Sequence, residues 1–281
     1  MREELIERTI SKYGYLEFYS SDIFIGKSLK EYGEYSDIEL NIMLNFINPE
    51  DFIFDIGANI GAFSIPFARR AGLSGRVFSF EPQEYIFELL KNNIYVNNLE
   101  NVEIFKNGLG RNHKKIKIEN INYSELGNFG GISLKEKNDK KVKIDKKKGM
   151  QNIKILKLDD FLNVDRCNFL KIDVESMEID VLEGGRIFLR KFKPIIWIEN
   201  HNSYPNKLNK YLINKNYKAY WVKSRLFNPN NFFKNNVNYF NQTCTQNVLA
   251  FPEDKDPKLD SKLFDKIIDE NSEPTKVFTS L

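Results

Sequence analysis

The sequence predicts an α/β domain built on a mostly parallel sheet, and three observations support that prediction. Short β-branched and aromatic runs alternate with helical patterns from about residue 50 onward. Each strand-like run ends close to where a helix-like segment begins, which is typical of parallel strands joined by crossover helices. Apolar residues make up 41% of the 281-residue chain, which is enough for a core of this kind.

The individual elements follow from these patterns. Six core strands are predicted, at residues 52–56, 76–80, 102–107, 153–158, 168–173 and 195–199. Helices are predicted where apolar residues recur every three to four positions. They cover residues 62–71, 84–97, 177–189 and 206–215.

Three regions depart from this alternation and are interpreted as additions to one domain over residues 49–252. Residues 1–48 predict a lid over the sheet edge, beginning with a charged amphipathic helix at MREELIERTI. Residues 111–151 predict a variable insertion, with an irregular loop followed by a charged hairpin. Residues 253–281 predict a polar tail with one amphipathic helix at KLDSKLFDKIID.

Charge and cysteine content argue against several classes of function. The chain has 42 basic and 39 acidic residues, so no general attraction to nucleic acid or an anionic membrane is expected. Cys167 and Cys244 lack the spacing of a metal or redox pair, which indicates a reduced, cytoplasmic setting. No run approaches the ~18 consecutive apolar residues of a membrane span, and the N-terminus is not typical of a signal peptide.

The stretch FIFDIGANIGAFSI, residues 52–65, indicates a ligand site. A strand ends near Asp55, and Gly57, Asn59 and Gly61 follow before a helix begins. Gly57 permits a sharp turn and the close approach of a ligand, and Gly61 lets the helix start close to the strand. Asp55 is then expected to accept a hydrogen bond from a cationic amine or a water. The alternative is an ordinary connection that uses Gly and Asn for positive φ.

The second strand, in RVFSFEP, ends at Glu81. An acid about 20 residues after the glycines typically binds the ribose hydroxyls of an adenosine, and both NAD and S-adenosylmethionine fit that layout. The spacing Gly57-x-x-x-Gly61 lacks the Gly-x-Gly-x-x-Gly of pyrophosphate-binding loops, and Asp55 would repel a pyrophosphate. The pattern therefore favours S-adenosylmethionine, which carries an ammonium and a sulfonium.

Seven segments resemble, in order, the FkbM family of S-adenosylmethionine-dependent methyltransferases. They are DIGANIGAFSI, FSFEPQ, KNGLG, LDDFL, NFLKIDVESMEIDVLEG, PIIWIENH and QNVLAFP. The resemblance covers about residues 33–252. It implies a class I methyltransferase (Rossmann-like) fold, with a seven-stranded, mostly parallel sheet, helices on both faces and an antiparallel last strand. It also implies O-methylation of a sugar, glycan or related metabolite.

The resemblance implies a set of cofactor-binding residues as well. The glycine turn would hold the methionyl part, Glu81 the ribose and Asn107 the adenine, while Tyr35 and Ser36 would close over the amino acid end. The alternative for Tyr35 is simple packing of the lid. The full predicted set is Tyr35, Ser36, Asp55, Gly57, Ala58, Asn59, Gly61, Glu81, Pro82, Asn107 and Asp173.

Acceptor chemistry is assigned to the ends of the next two strands. Asp173 and Glu175 follow one of them, and Glu199 and His201 follow the other. A neutral imidazole is suited to take a proton from a hydroxyl, and all four are predicted catalytic residues. The alternatives are that His201 only packs or caps, and that Glu175, like Glu178, only interacts with a helix dipole.

Two further interpretations are left open. Asp173, Glu199 and Asn200 resemble the divalent-metal site of catechol O-methyltransferase, so a cation such as Mg²⁺ is an alternative to metal-free acid–base chemistry. The lysine-rich residues 135–148 predict a solvated hairpin face, or else a surface for an anionic acceptor. An idle S-adenosylmethionine-binding module and an NAD-dependent oxidoreductase are the alternative functions. The sequence specifies neither the acceptor nor the oligomeric state.

Overall fold

The computed structural model describes residues 5–134, 142–200 and 205–280. Its strands are β1 (Ile6–Ser11), β2 (Gly14–Tyr19), β3 (Phe52–Ile56), β4 (Arg76–Phe80), β5 (Val102–Phe105), β6 (Gly108–Leu109), β7 (Lys114–Glu119), β8 (Met150–Leu156), β9 (Phe169–Ile172), β10 (Ile195–Glu199), β11 (Tyr217–Arg225), β12 (Cys244–Pro252) and β13 (Asp265–Lys266). Its helices are α1 (Ile25–Tyr32), α2 (Asp37–Leu44), α3 (Ser64–Ala71), α4 (Glu84–Val96), α5 (Glu178–Gly184), α6 (Arg186–Phe192) and α7 (Pro205–Asn214).

The central sheet contains eight strands in the order β13-β11-β12-β10-β9-β3-β4-β5. Strands β3, β4, β5, β9 and β10 are parallel, and β12 runs antiparallel to β10 and β11. This order and the reversed β12 confirm the expected class I methyltransferase fold. The strand count differs from the expected seven because the two-residue β13 pairs with the edge of β11.

The order in which successive strands are added to the sheet reverses between β3 and β9, although these two strands are parallel. From β3 the next strands, β4 and β5, are added on one side, whereas β9 and β10 are added on the other. In open parallel sheets a crevice forms at this switch point, outside the carboxyl ends of the strands. The topology therefore places the candidate site beyond Ile56 and Ile172.

Both faces of the sheet are covered, which explains why its central strands are apolar throughout. On one face Phe54 packs against Phe78 and Phe188, with ring centroids 4.7 and 5.0 Å apart. Helices α5, α6 and α7 cover this face. On the other face α2 and α3 pack over Phe169 and Trp197. The helices in the described ranges are all too short or too polar to cross a lipid bilayer.

The N-terminal layer is a β-hairpin followed by two helices, and the amphipathic helix predicted at MREELIERTI is wrong over its described part. Residues 6–11 form β1, which pairs antiparallel with β2. The hairpin is favoured because it docks onto α4, where Asn93 accepts from the Glu17 N–H (2.7 Å) and donates to the Glu17 carbonyl (3.0 Å). This tertiary contact outweighs the weak local helix pattern.

The insertion forms a small separate sheet in the order β6-β8-β7. The core strand predicted at residues 153–158 is wrong, because β8 belongs to this sheet and pairs antiparallel with β7. Alternate side chains of β8 are exposed, as in a strand with one face towards solvent, whereas the core strands are buried on both faces. In the sequence, β7 precedes the irregular loop and β8 follows it. The prediction of a loop followed by a hairpin is therefore wrong. Residues 135–141 of the lysine-rich segment lie outside the described residues.

Two helix predictions need correction. The helix at KLDSKLFDKIID is absent, because Ile267 is buried and its N–H donates to Ala219 of β11 (2.9 Å), while Asp265 accepts from the N–H groups of Thr275 and Lys276. The helix predicted at residues 177–189 is divided at Gly184 and Gly185 into two helices, α5 and α6. A Cβ at Gly184 would collide with the Gly110 carbonyl, so close packing requires glycine there.

We expect Phe54→Ala to lower the free energy of unfolding by about 3–5 kcal/mol, because it opens a cavity between β3, β4 and α6. Urea denaturation monitored by circular dichroism measures this change. Leu73→Ala is the control, since Leu73 is 88% exposed and its loss should cost less than about 0.5 kcal/mol. Equal losses in the two variants would contradict the assigned core.

Candidate functional site

A cleft of about 360 Å³ opens at the carboxyl ends of β3, β4, β9 and β10, at the switch point of the sheet. Most of the predicted site residues meet there, although they come from separate parts of the chain. The predicted residues that line the cleft are Tyr35, Gly57, Ala58, Asn59, Glu81, Pro82, Asn107, Asp173, Glu175, Glu199 and Asn200.

Three predicted cofactor residues lie behind the wall of the cleft. Ser36 is buried and its hydroxyl donates to Glu39 (2.8 Å). Gly61 faces the Leu90 side chain of α4, and the carboxylate of Asp55 is buried inside the sheet. These residues support the cleft and are not part of its surface. His201 is a predicted catalytic residue that falls within residues 201–204, outside the described part of the chain.

The turn after β3 brings its backbone against the neighbouring strand end. Gly57 has φ +82°, and a Cβ there would collide with the carbonyl oxygen of Asp173. The N–H groups of Gly57 and Ala58 both donate to the Phe80 carbonyl, at 3.0 and 2.9 Å. Glycine is therefore required at position 57 because another segment of the chain approaches it closely.

Glu81 is a buried carboxylate that retains acceptor capacity at the cleft. It is only 3% exposed, and its carboxylate accepts from the N–H groups of Asn59 (3.1 Å) and Gln83 (2.8 Å). A carboxylate has about four lone-pair sites, so two hydroxyl donors can still be accommodated. Burial raises the pKa of Glu81 to about 7.

Asp55 does not have the expected freedom to accept from a ligand amine. Its Oδ2 accepts from the Ser64 hydroxyl (2.6 Å), and its Oδ1 lies 3.1 Å from Nζ of Lys171. The whole side chain is buried. The argument that Asp55 repels a pyrophosphate also weakens, because Lys171 balances its negative charge.

Lys171 is a site residue that sequence reasoning missed. It lies on β9 with a side chain that is 1% exposed, and its Nζ donates to the Gly57 carbonyl (3.1 Å). Nζ is also 3.7 Å from Oδ2 of Asp173, which is 37% exposed at the cleft. Burial alone would lower the pKa of Lys171, but the charges of Asp55 and Asp173 outweigh burial and raise it. A lysine inside the apolar run of a central strand was the available signal.

Glu39 was missed as well. It lies on α2, lines the cleft, and accepts from the Trp197 indole N–H (3.2 Å) and from Ser36. Burial raises its pKa. Among the described residues that line the cleft, five carry carboxyl groups, Glu39, Glu81, Asp173, Glu175 and Glu199, and the only lysine or arginine is Lys171. The cleft therefore favours a positively charged ligand.

Three of these acids form a cluster at the ends of β9 and β10. One carboxylate oxygen from each of Asp173, Glu175 and Glu199 lies within 4.8 Å of the other two. Glu175 has φ +50°, which turns the chain sharply after β9. Such a cluster can take up a proton or offer hard oxygen ligands to a divalent cation.

Asn200 and Glu178 make side-chain contacts outside this carboxylate cluster. The side-chain amide of Asn200 donates to Asn209 (3.3 Å), although the residue lines the cleft. Oε1 of Glu178 accepts from the N–H groups of Val174 (3.3 Å) and Ser176 (3.1 Å), so this acid stabilises the turn before α5. The carboxylate cluster thus includes Asp173 and Glu199 from the predicted metal set, with Glu175 in place of Asn200.

The sheet order and the acid-lined cleft define a domain of the class I methyltransferase fold. A family model described as the methyltransferase FkbM domain matches residues 55–219, more than half of the chain. The chain therefore belongs to the FkbM methyltransferase family.

Two relatives that this chain resembles are named as methyltransferases. The chain is 30% identical over 150 residues to "Methyltransferase 1" of Beauveria bassiana (strain ARSEF 2860), covering 48% of this chain and 59% of that protein. It is 26% identical over 157 residues to "Methyltransferase sdnD" of Sordaria araneosa, covering 47% and 60%. The match thus spans less than two thirds of either relative. The crystal structure of methyltransferase FkbM from Methylobacillus flagellatus KT aligns over 71% of this chain and 43% of its own, with 18% identity and a TM-score of 0.47.

We expect Lys171→Met to lower the free energy of unfolding by about 3–5 kcal/mol, because it leaves the Asp55 carboxylate buried and unpaired. The double variant Asp55→Asn/Lys171→Met should recover a large part of that loss. Urea denaturation of both variants and the wild type measures the effect.

The matched control for Lys171→Met is Lys106→Met. Lys106 pairs with Glu84 at 3.0 Å, but both side chains are about half exposed. Its loss should cost less than about 1 kcal/mol. A double variant as unstable as Lys171→Met alone would contradict the buried pair as the cause.

Proposed function

We propose that this protein is an S-adenosylmethionine-dependent O-methyltransferase that binds its cofactor in the cleft between β3, β4, β9 and β10. The observation that supports this most strongly is Glu81, a buried carboxylate with spare acceptor capacity beside the glycine turn. Membership of the FkbM methyltransferase family supports methyl transfer as the reaction. The acidic lining of the cleft favours a cofactor with a positively charged methionyl part.

Each part of the cofactor has candidate partners. Glu81 would accept hydrogen bonds from the ribose hydroxyls, and Pro82 and Asn107 line the side of the cleft where the adenine would lie. The turn at Gly57, Ala58 and Asn59 would border the methionyl part. We assign the ammonium group of the cofactor to Asp173 and Glu39 rather than Asp55, because the Asp55 carboxylate already contacts Lys171 and Ser64.

The reaction requires alignment and the removal of one proton. When bound, S-adenosylmethionine would supply the methyl group: an acceptor oxygen would bond to the methyl carbon as the carbon–sulfur bond breaks, and S-adenosylhomocysteine would leave. Holding the two reactants in line can contribute about 7–11 kcal/mol. The hydroxyl proton would pass to the cluster of Asp173, Glu175 and Glu199, where a general base can add about 10²–10⁴-fold. His201 stays a predicted base.

A second version of the proposal places a divalent cation at the same cluster. Three carboxylate oxygens within 4.8 Å of one another fit the hard oxygen ligands that Mg²⁺ prefers. Asp173, Glu175 and Glu199 would hold the ion, and a bound cation would lower the pKa of the acceptor hydroxyl. Turnover that stops with a chelator and returns with Mg²⁺ would support this version over the metal-free one.

The acceptor is proposed to be a hydroxyl of a sugar, glycan or related metabolite, as the family resemblance implies. A cytoplasmic location stays a prediction, with which the free thiols of Cys167 and Cys244 are compatible. In the described part of the lysine-rich segment, Lys148 pairs with Asp145 at 3.2 Å, which supports a solvated face rather than an acceptor surface.

We expect release of S-adenosylhomocysteine when the protein meets a competent hydroxyl acceptor. A coupled release assay against sugars and nucleotide sugars, with and without Mg²⁺, measures turnover.

Glu199→Gln should lower kcat at least about 100-fold while cofactor affinity changes little, because the proton acceptor is impaired and the ribose contacts remain. Cofactor binding without release from any acceptor would instead favour the idle binding module.

We expect the affinity for 5′-methylthioadenosine to fall as pH drops from 8 to 6. The ribose hydroxyls donate to the ionised form of Glu81, and that form is lost as pH falls through its pKa of about 7. This probe lacks the amino acid part, so titration of a ligand amine does not contribute. Isothermal titration calorimetry at several pH values measures the effect.

The control for this pH dependence is Glu81→Gln. It should bind the probe about 10–100-fold more weakly at pH 8, because charge-assisted hydrogen bonds are lost. Its affinity should vary little between pH 6 and 8. The same pH profile in the variant and the wild type would show that another group titrates.

A further inference from the structure

The aromatic loop, residues 226–243 between β11 and β12, presents aromatic side chains to solvent. Phe232, Phe233 and Tyr239 are 47%, 43% and 40% exposed. The ring centroids of Phe232 and Phe233 lie 5.6 Å apart, and both rings pack over Gly33 at the end of α1, where a Cβ atom would collide with them. The rings are therefore supported from below and still keep a large part of their surface in solvent. Exposed apolar surface of this kind often marks a binding site.

Hydrogen bonds to the N-terminal layer hold the aromatic loop in this conformation. The Tyr32 hydroxyl donates to the Val237 carbonyl and accepts from the Tyr239 N–H, both at 2.9 Å. The carboxylate of Glu34 accepts from the Phe232 N–H, also at 2.9 Å. Because the backbone is fixed at these points, a ligand that binds the exposed rings does not have to order the loop first.

The aromatic loop is continuous with the mouth of the cofactor cleft. Its two end residues, Leu226 and Thr243, line the cleft. Phe240 of the loop stacks on Phe24, which also lines the cleft, with ring centroids 6.0 Å apart and ring planes 13° apart. The exposed Tyr239 directly precedes Phe240. The aromatic surface therefore begins at the cleft and continues outside it.

This end of the cleft is the one left for the acceptor. Glu81, the proposed ribose partner, follows β4, whereas Thr243 precedes β12, and three strands separate β4 from β12 in the sheet. The cleft of about 360 Å³ is near the lower limit of the range of about 300–1,000 Å³ found for small-molecule sites. With the cofactor bound, only the reacting unit of a larger acceptor could enter. The remainder would lie outside the cleft, beside the aromatic loop.

We propose that the aromatic loop is the outer part of the acceptor site and binds an uncharged oligosaccharide, one unit of which enters the cleft. This inference rests on the function proposed above and specifies its acceptor. A sugar ring has a face of C–H groups that can pack on an aromatic ring, and hydroxyl groups at its edge that need hydrogen-bond partners. The side-chain amides of Asn230, Asn236 and Asn241 are exposed and have no hydrogen-bond partner among the described residues. Amides both donate and accept, so they suit hydroxyl groups.

The charge of the aromatic loop disfavours other partners. Lys234 is its only charged residue, and the nearby Lys27 ammonium is already placed over the Tyr239 ring at 4.8 Å. A nucleic acid or an anionic membrane would require several cations on this surface. Insertion into an uncharged bilayer would remove water from the amides that lie between the aromatic residues, which is costly.

The test is calorimetric titration of the protein saturated with S-adenosylhomocysteine. The probes are glucose, mannose and N-acetylglucosamine, and the tetrasaccharides built from each, cellotetraose, mannotetraose and chitotetraose. We expect at least one tetrasaccharide to bind about ten-fold or more tightly than its own monosaccharide, because its outer units add contacts with the exposed rings.

Two variants connect this length dependence to the aromatic loop. Phe232→Ala and Phe233→Ala should each weaken tetrasaccharide binding about five-fold or more and leave monosaccharide binding unchanged. Tyr95→Ala is the matched control, because Tyr95 is an aromatic residue of α4 that is 81% exposed, and it should change neither affinity. All three variants should bind S-adenosylhomocysteine as the wild type does, which shows that they are folded.

The proposal is overturned if no tetrasaccharide binds at about 5 mM, if chain length has no effect, or if all variants bind alike. Binding to phosphatidylcholine vesicles that Phe232→Ala abolishes would instead assign the loop to a lipid surface. A dimer that dissociates in the same variant would assign it to a second copy of the chain. These results would leave the proposed methyl transfer untouched, whereas wild-type protein that fails to bind S-adenosylhomocysteine would contradict the proposed function and this inference with it.

Discussion

The ion pair between Asp55 and Lys171 is the interaction on which the rest of the site depends. The two residues are direct neighbours on β3 and β9, the strands that flank the switch point of the sheet. Both are buried, and separating them would leave a charge in the core, which is strongly unfavourable. Because Lys171 also donates to the Gly57 carbonyl, the pair stabilises the register of β3 and β9 and the shape of the turn after β3.

The same pair sets the charge that a ligand meets. Lys171 is the only lysine or arginine among the described lining residues of the cleft, and its charge is shared by Asp55 and Asp173. The described lining of the cleft therefore carries more carboxyl groups than cations. Burial raises the pKa values of Glu39 and Glu81 and so disfavours their ionised forms, whereas a cationic or hydrogen-bonding ligand beside them would favour ionisation. Core stability thus depends on one buried lysine, and the proposed recognition of the cofactor would depend on it as well.

Sequence patterns predicted the features that depend on local periodicity and missed those that depend on contacts between distant segments. The bounds of β3, β4 and β10 were predicted from their apolar runs, and the position of Glu81 followed from its strand. Lys171 and Glu39 were missed because their roles arise from neighbours on other elements, Asp55 and Trp197. The C-terminal helix was predicted wrongly because edge pairing with β11 competes with a local helical pattern and prevails.

A crystal structure of the protein with S-adenosylhomocysteine would test the central claim most directly. Our account predicts the ribose hydroxyls on Glu81, the homocysteine amine within hydrogen-bond distance of Asp173 or Glu39, and an intact pair between Asp55 and Lys171. An amine bound to Asp55 with Lys171 displaced, or the ligand bound outside this cleft, would contradict it.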